Sequence, residues 1–160
     1  MLEIGRQRGF GWVEALIALA ILAILAVAAV PSLRSSFQAA RFRNALRDLS
    51  ASLELARGEA IRRNGPMFVS IVDGPAWCVG VGTSPCACGA CDTRTVDGKN
   101  YPDVLLKSAI PDGGYQIDPA NGIASQAGVL SVSIGSYKGS VTVSRLARAS
   151  VCQSNCGSTP

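Results

Sequence analysis

A single carboxylate lies inside a long apolar run near the start of the chain. The run covers residues 10–30, and Glu14 is its only charged residue. A charged side chain within an apolar membrane helix costs about 2.5–3.5 kcal/mol even on a lenient scale. Glu14 therefore needs a cation nearby, and the flanking arginines are poorly placed to supply one inside a packed helix bundle: Arg6, Arg8 and Arg34.

A cut between Gly9 and Phe10 would create the missing cation. The new ammonium group of Phe10 would lie four residues from Glu14, on the same face of a helix. A helix over residues 10–30 is about 31 Å long, which is enough to span the hydrocarbon core of a bilayer. The pattern therefore predicts a transmembrane helix whose one carboxylate pairs with a terminal amine.

These residues resemble the class III signal of type IV prepilins and pseudopilins. The resemblance rests on Gly9-Phe10, on Glu14 at the fifth position after the cut, and on Pro31 at the twenty-second. The usual signal reads Gly-Phe-Thr-Leu-Ile-Glu, and its three middle residues differ here. The resemblance implies that prepilin peptidase cleaves after Gly9 on the cytoplasmic side and N-methylates Phe10. It also implies that Glu14 pairs with the Phe10 amine of a neighbouring subunit as a filament grows.

Two other interpretations of the apolar run remain open. Ala26-Val27-Ala28 fits ordinary secretory signal cleavage, although Glu14 and the helical pattern after Pro31 count against it. The run could also be a plain membrane anchor. In either case Arg6 and Arg8 place the N-terminus in the cytoplasm. We therefore expect a single-pass inner-membrane protein with a periplasmic C-terminal domain.

Six cysteines lie in the part predicted to be exported: Cys78, Cys86, Cys88, Cys91, Cys152 and Cys156. Export and the even count favour disulfides, although the sequence cannot choose among the connectivities. The close spacing of residues 86–91 also suits a metal, with Cys78 as a fourth thiolate ligand. We favour disulfides and no metal, with Cys152 bonded to Cys156 and Cys78 tied to the 86–91 loop.

Composition argues against an enzyme. The chain has no histidine, which removes Ser-His-Asp and Cys-His catalysis and imidazole general bases. No glycine-rich phosphate loop is present. The net charge of +4 is by itself a weak indication of nucleic-acid binding. We therefore expect a structural or binding protein with no cofactor.

An amphipathic helix is predicted over residues 31–64. Its apolar positions recur at spacings of three and four and form one stripe at helical period: Phe42, Leu46, Leu49, Leu53, Ala56 and Ala60. Pro31 lacks a backbone N–H and should kink or locally open the helix. Glu59 can pair with Arg62 or Arg63 one turn later. Arginines off the stripe indicate a solvated face or a filament contact surface rather than a nucleic-acid face.

Residues 53–64 are similar to the Leu-Ala-Arg-Ser-Glu-Ala-Ile-Arg-Arg stretch of the GspH/FimT family, with Gly58 at the usual Ser. That family comprises the H-type pseudopilins of type II secretion and the FimT/FimU-like minor pilins. The resemblance implies an α+β, lollipop-like pilin fold: a long N-terminal helix packed on a small antiparallel β-sheet with disulfide-stapled loops. The predicted segments are a leader at 1–9, a helix at 10–64 and a periplasmic β-rich domain at 66–160.

Alternating apolar residues and turn signals predict short strands in the C-terminal domain. We expect strands at 67–72, 77–81, 129–134 and 140–146, and a shorter one at 115–118. A hairpin loop is predicted at 135–139, and longer loops at 83–103 and 119–127. Together the strands are expected to form one antiparallel sheet.

Two functions of different classes remain open. The first is structural: a minor pilin or pseudopilin that assembles into, or primes, a type II secretion pseudopilus or a type IV pilus, with other pilins as partners. The second is binding, as in a FimT-like DNA-uptake pilin. Some FimT-like members carry Gly-Arg-x-Arg before a cysteine, and the matching positions here read Ala147-Arg148-Ala149-Ser150. Arg148 is kept and Arg145 lies nearby, but the missing second arginine counts against DNA as a partner.

Overall fold

The structure is a computed structural model that describes residues 11–87 and 89–153, except for the side chains of residues 27–32. Within these residues it contains one long helix and eight strands. The helix is α1 (Trp12–Arg63), and the strands are β1 (Met67–Val72), β2 (Cys78–Gly82), β3 (Arg94–Asp97), β4 (Leu105–Ser108), β5 (Gly114–Ile117), β6 (Gly128–Ile134), β7 (Tyr137–Val143) and β8 (Ala149–Cys152). Two short 3₁₀ helices, Gly98–Asn100 and Pro111–Gly113, lie between strands. The chain divides into two units, Met1–Phe37 and Gln38–Pro160.

The first unit contains the N-terminal part of α1, which runs through Pro31 without a break. The leader and the expected helix start at Phe10 lie outside the described residues, as does the side chain of Pro31. A kink at Pro31 therefore stays a prediction.

Among the residues that the structure describes, no helix is both long enough and apolar enough to cross a membrane.

The helix ends at Arg63, one residue before the predicted end, and closes in a Schellman motif. Asn64 adopts the left-handed conformation, with φ of 47°. Its N–H donates to the carbonyl of Ile61 at 3.3 Å, and the N–H of Gly65 donates to the carbonyl of Ala60 at 3.2 Å. These two bonds satisfy carbonyls of the last turn, and Pro66 cannot extend the helix. The chain therefore leaves the helix and enters β1 within a few residues.

The strands form two antiparallel sheets rather than the single sheet predicted. One has the order β3-β2-β1-β5 and the other the order β4-β6-β7-β8. In the second sheet Ile134 pairs with Tyr137 across a tight turn, where Gly135 has a φ of 54°. The predicted hairpin loop at 135–139 is therefore wrong, because only residues 135 and 136 separate β6 from β7.

Five strands were predicted in nearly their observed places, and β1 matches the prediction residue for residue. The other three, β3, β4 and β8, were not predicted. β3 lies inside the expected loop at 83–103. The expected loop at 119–127 contains no named strand and is confirmed.

The C-terminal part of α1 packs on the sheets through the predicted stripe. All six stripe residues are buried and share one core with the inner faces of both sheets. Contact between α1 and β7 is so close that a Cβ on Gly139 would lie 2.8 Å from Phe42 Cζ and 3.2 Å from Leu46 Cδ1. Phe42 also stands 6.0 Å from Tyr137, ring centre to ring centre. The predicted α+β fold of a long helix packed on antiparallel β structure is confirmed.

Candidate assembly site

The described chain starts with the first turn of α1, which contains Glu14. The carbonyl of Gly11 accepts hydrogen bonds from the N–H groups of Glu14 and Ala15, at 3.0 and 3.2 Å. Glu14 is thus held near the helix N-terminus, where the helix dipole stabilises a carboxylate. Its side chain is exposed and has no hydrogen-bond or ion-pair partner among the described residues. Gly9 and Phe10, the predicted processing residues, lie outside the described residues.

The large apolar side chains on either side of Glu14 are exposed around the helix. Trp12 is 82% exposed and Ile24 is 71% exposed, and the same holds for other large apolar residues of this segment: Val13, Leu16, Ile17, Leu19, Ile21, Leu22 and Leu25. A helix that is apolar on every face requires lipid or protein around it. The described part of α1 up to residue 26 is therefore an exposed apolar surface. The expected transmembrane range, residues 10–30, extends past these side chains at both ends.

Several charges on the C-terminal part of α1 are bound within the domain. Glu59 pairs with Arg62 at 2.6 Å, as predicted, and also with Arg63. The hydrogen bond from Arg62, followed by that from Arg63, lowers the pKa of Glu59 to about 2. Arg41 lies 3.6 Å from Asp103, and Arg94 on β3 lies 3.7 Å from Asp48. These exposed pairs orient the helix surface but contribute little stability.

Asp48 also accepts a hydrogen bond from the hydroxyl of Tyr101, which joins the segment between β3 and β4 to α1. Burial, and then this bond to the carboxylate, raise the pKa of Tyr101 to about 12. Tyr101 stacks on Trp77, whose indole N–H donates to the carbonyl of Val104 at 2.9 Å. Sequence reasoning missed this cluster because its members lie up to 53 residues apart.

A disulfide closes the loop that follows β2. Cys86 and Cys91 are bonded, with Cα atoms 5.2 Å apart. The bridge lies directly on β2: a Cβ on Gly80 would be 2.1 Å from the sulfur of Cys91, and one on Gly82 would be 3.4 Å from that of Cys86. Glycine at position 80 makes room for the sulfur of Cys91, whereas a Cβ on Gly82 would meet Asp92 Oδ1 at 2.9 Å and the Ser84 carbonyl oxygen at 3.1 Å. This bond confirms a disulfide-stapled loop.

Cys78 and Cys152 are disulfide-bonded as well. Cys88 and Cys156 lie outside the described residues, so the expected pairing of Cys152 with Cys156 stays a prediction. Among the described residues, no group of three or more histidine, cysteine or acidic side chains is arranged to hold a metal ion.

The two arginines considered for DNA contact lie on one tight turn between β7 and β8. Ser144 N–H donates to the carbonyl of Arg148 at 3.0 Å, and Ala147 N–H donates to the carbonyl of Ser144 at 2.9 Å. Arg145 and Arg148 are both exposed. A carboxylate oxygen of Glu54 accepts from the N–H of Ala149 at 2.7 Å, so an acidic group lies beside this turn. Sequence reasoning did not anticipate that neighbour.

A long helix that is apolar all round at its start, and that then packs an apolar stripe on antiparallel sheets, defines a pilin-like protein. The family model described as "Type II transport protein GspH" matches residues 45–147, and that of the "Prokaryotic N-terminal methylation motif" matches residues 4–30. The chain belongs to the GspH family, whose members are structural pilin or pseudopilin proteins and not enzymes.

Two crystal structures of the type IV minor pilin FimU from Pseudomonas aeruginosa strain PAO1 share this fold. The first has a TM-score of 0.55 at 17% identity and covers 69% of this chain and 87% of FimU. The second has a TM-score of 0.53 at 16% identity, with coverages of 68% and 90%. At these identities the likeness shows the fold alone. No curated protein matches the sequence significantly.

Proposed function

We propose that this chain is a minor pilin or pseudopilin subunit that assembles into, or primes, a type IV pilus or a type II secretion pseudopilus. In this proposal prepilin peptidase cleaves between Gly9 and Phe10, and Phe10 is then N-methylated. The mature subunit is held in the inner membrane by residues 10–30 and enters a helical filament through the same segment. The carrying observation is Glu14, a carboxylate with no partner among the described residues, on an otherwise apolar, exposed helix surface.

The exposed apolar surface supports the membrane and filament part of the proposal. Large apolar side chains on every face of a helix lose contact with water only in lipid or among other helices. Both environments serve a subunit that is first stored in a membrane and then drawn into a filament. Membrane helices alone would not need Glu14, since insertion becomes cheaper without it.

The position of Glu14 supports the processing part. A carboxylate in an apolar environment must be paired with a cation to offset its lost hydration. Cleavage after Gly9 supplies a positive amine four residues from Glu14. The match of residues 4–30 to the N-terminal methylation motif fits this cut. Pairing across neighbouring subunits would then use the charge only when the filament assembles.

The disulfides support export of the C-terminal domain. Bridges such as Cys86–Cys91 form and persist in oxidising compartments. A periplasmic location of residues 66–160 supplies that environment. The alternative function, DNA uptake, has weaker support, because the carboxylate of Glu54 binds the N–H of Ala149, next to the turn that carries Arg145 and Arg148.

Replacement of Glu14 by valine tests this proposal. We expect the Glu14→Val subunit to be found in the membrane at normal levels but to be strongly depleted from sheared filaments, because its pairing partner for the Phe10 amine is lost. Leu22→Val is the matched control, since it changes an exposed apolar side chain of the same segment without altering charge. Normal incorporation of Glu14→Val, scored by co-purification with filaments, would contradict the proposal.

A further inference from the structure

The C-terminal domain contains a polar cleft of about 310 Å³. One wall is the end of β5 with the segment that follows it, and the other is the turn between β7 and β8. The lining residues are Gln116, Asp118, Asn121, Ile123, Ala124, Ser125 and Arg145. This volume lies at the lower end of the range typical of small-molecule sites, about 300–1,000 Å³. The cleft therefore has room for one small molecule, or for one building block of a larger one.

Backbone bonds hold the two walls together. The N–H of Ala124 donates to the carbonyl of Arg145 at 2.8 Å, across the two walls. Asp118 N–H donates to the carbonyl of Ile123 at 2.9 Å and closes the first wall into a compact loop. That loop rests on α1 at Gly122, where a Cβ would lie 3.2 Å from Ile61 Cδ1 and where φ is +65°. These backbone bonds fix the loop and the turn that carry the lining residues, of which only Ala124 is buried.

Three polar side chains in the cleft are each anchored by one atom. Asp118 Oδ1 accepts from the N–H of Ala120 at 2.9 Å, and Asn121 Oδ1 accepts from the N–H of Ile123 at 2.9 Å. Ser125 Oγ accepts from the N–H of Gln116 at 3.0 Å. In each side chain a second polar group has no hydrogen-bond partner among the described residues. These groups are a carboxylate oxygen of Asp118, the amide NH₂ of Asn121 and the hydroxyl proton of Ser125. Fixing these groups in advance lowers the entropy cost of binding.

Two side chains of opposite charge, Asp118 and Arg145, line the cleft. Arg145 is exposed and has no ion-pair partner among the described residues, and its guanidinium lies beyond salt-bridge distance of Asp118. A guanidinium binds a carboxylate with two parallel hydrogen bonds. Asp118 instead needs a donor such as a hydroxyl. Gln116, Asn121 and Ser125 offer both donors and acceptors for further hydroxyl groups.

We propose that this cleft binds a small polyhydroxylated carboxylate, the chemistry of an acidic sugar unit. The carboxylate of the ligand binds Arg145, and its hydroxyl groups bind Asp118, Asn121 and Ser125. Only Ile123 offers a sizeable apolar contact in the lining, and there is no aromatic side chain in it, so the recognition is polar. The unit could be a free acidic sugar or one residue of an acidic polysaccharide, since both present the same groups.

Binding of galacturonate to the full-length chain in detergent micelles tests the proposal, with ligand-observed NMR as the readout. Galactose lacks the carboxylate and acetate lacks the hydroxyl groups, so each should bind about tenfold more weakly or worse. Polygalacturonate is tested in parallel to separate the free sugar from the polymer. Binding of galacturonate or polygalacturonate that depends on Arg145 supports the proposal. The form that binds more tightly shows whether the ligand is the free sugar or the polymer.

Three variants make the test specific. Arg145→Gln should weaken binding about tenfold or more, because a charge-assisted bidentate contact is lost. Asn121→Asp keeps the oxygen that accepts from Ile123 but replaces the free amide donor by a negative oxygen, so it should also abolish binding while preserving the fold. Arg148→Gln is the matched control on the same turn and should bind normally.

The proposal is overturned if neither galacturonate form binds up to about 10 mM, well above common weak affinities. It is equally overturned if acetate or galactose binds as tightly as galacturonate. Loss of binding in Arg148→Gln as large as in Arg145→Gln would show attraction by general positive charge and would also overturn it.

Discussion

Glu54 on α1 and Ala149 on β8 are 95 residues apart in sequence and are joined by a 2.7 Å hydrogen bond from the Ala149 N–H to Glu54 Oε1. β8 is the last strand of its sheet, so its outer backbone groups have no further strand to bind. The carboxylate of Glu54 satisfies one of them and ties the end of the domain to the long helix.

This bond predicts a specific pair of stability changes. Glu54→Ala should lower the free energy of unfolding by about 1 kcal/mol, because the N–H of Ala149 loses its acceptor. Glu54→Gln keeps an oxygen acceptor and should cost less. Chemical denaturation of an oxidised fragment, residues 35–160, measures both. Equal stability of Glu54→Ala and the unchanged fragment would show that the bond contributes nothing.

Glu59 should titrate far below an ordinary glutamate. The hydrogen bond from Arg62, and then that from Arg63, lower its pKa from 4.5 to about 2. Because the folded-state pKa is the lower one, the stabilising contribution is present above the unfolded pKa. It is lost as the pH falls from about 4.5 towards 2. NMR titration of the Glu59 carboxyl carbon should give a midpoint near 2, and Arg62→Gln should raise it. A midpoint near 4.5 in the unchanged fragment would contradict the observed ion pairs.

Two glycine substitutions should have opposite effects on the free energy of unfolding. Gly80 lies under the Cys86–Cys91 bridge on β2, whereas Gly58 lies on α1 away from other atoms. Gly80→Ala places a Cβ 2.1 Å from the sulfur of Cys91 and should destabilise the fold by about 1–3 kcal/mol through overpacking. Gly58→Ala lies in the helix with nothing within 4 Å of its Cβ. It should stabilise by about 0.5–1 kcal/mol.

A double-mutant cycle isolates the role of the sulfur in the Gly80 effect. With Cys86 and Cys91 both replaced by alanine, Gly80→Ala should lose part of its cost, because the clashing atom is gone. Strictly additive free energies of unfolding would show that the bridge does not pack on β2 in solution.

Periodic patterns account for what the sequence predicted correctly. The stripe from Phe42 to Ala60 follows the helical repeat, and all of its members are buried. β1, β6 and β7 alternate over six or seven residues, which is long enough to show. β3 and β4 each have four residues with one buried side chain, and β8 has four with none. Such short strands carry too little alternation to stand out from loops.

Contacts between distant residues account for what the sequence could not show. The bond from Ala149 to Glu54 and the cluster of Asp48, Tyr101 and Trp77 exist only once both sheets are assembled on α1. The polar cleft likewise depends on the backbone bond between Ala124 and Arg145. By contrast, the leader pattern is local, which is why Gly9, Phe10 and Glu14 could be proposed from the sequence alone.

Duplex DNA should bind the 35–160 fragment weakly, if at all, at physiological salt. The turn between β7 and β8 offers Arg145 and Arg148, while Glu54 lies beside it and Ser150 stands where a second motif arginine would be. Any binding should vanish between about 50 and 200 mM salt, because few phosphates are neutralised. Arg148→Ala should change it little, and Ser150→Arg should increase it. Tight binding at physiological salt that Arg148→Ala abolishes would instead assign a DNA-receptor function.

The mass of the intact protein extracted from membranes tests the proposed function most directly. We predict a mature chain that begins with N-methylated Phe10, so that residues 1–9 are absent and one methyl group is added. Gly9→Val should block cleavage and leave the full-length mass. A mature chain that begins at Ala29, as ordinary secretory cleavage after Ala28 would give, would contradict the pilin-type processing on which the account depends.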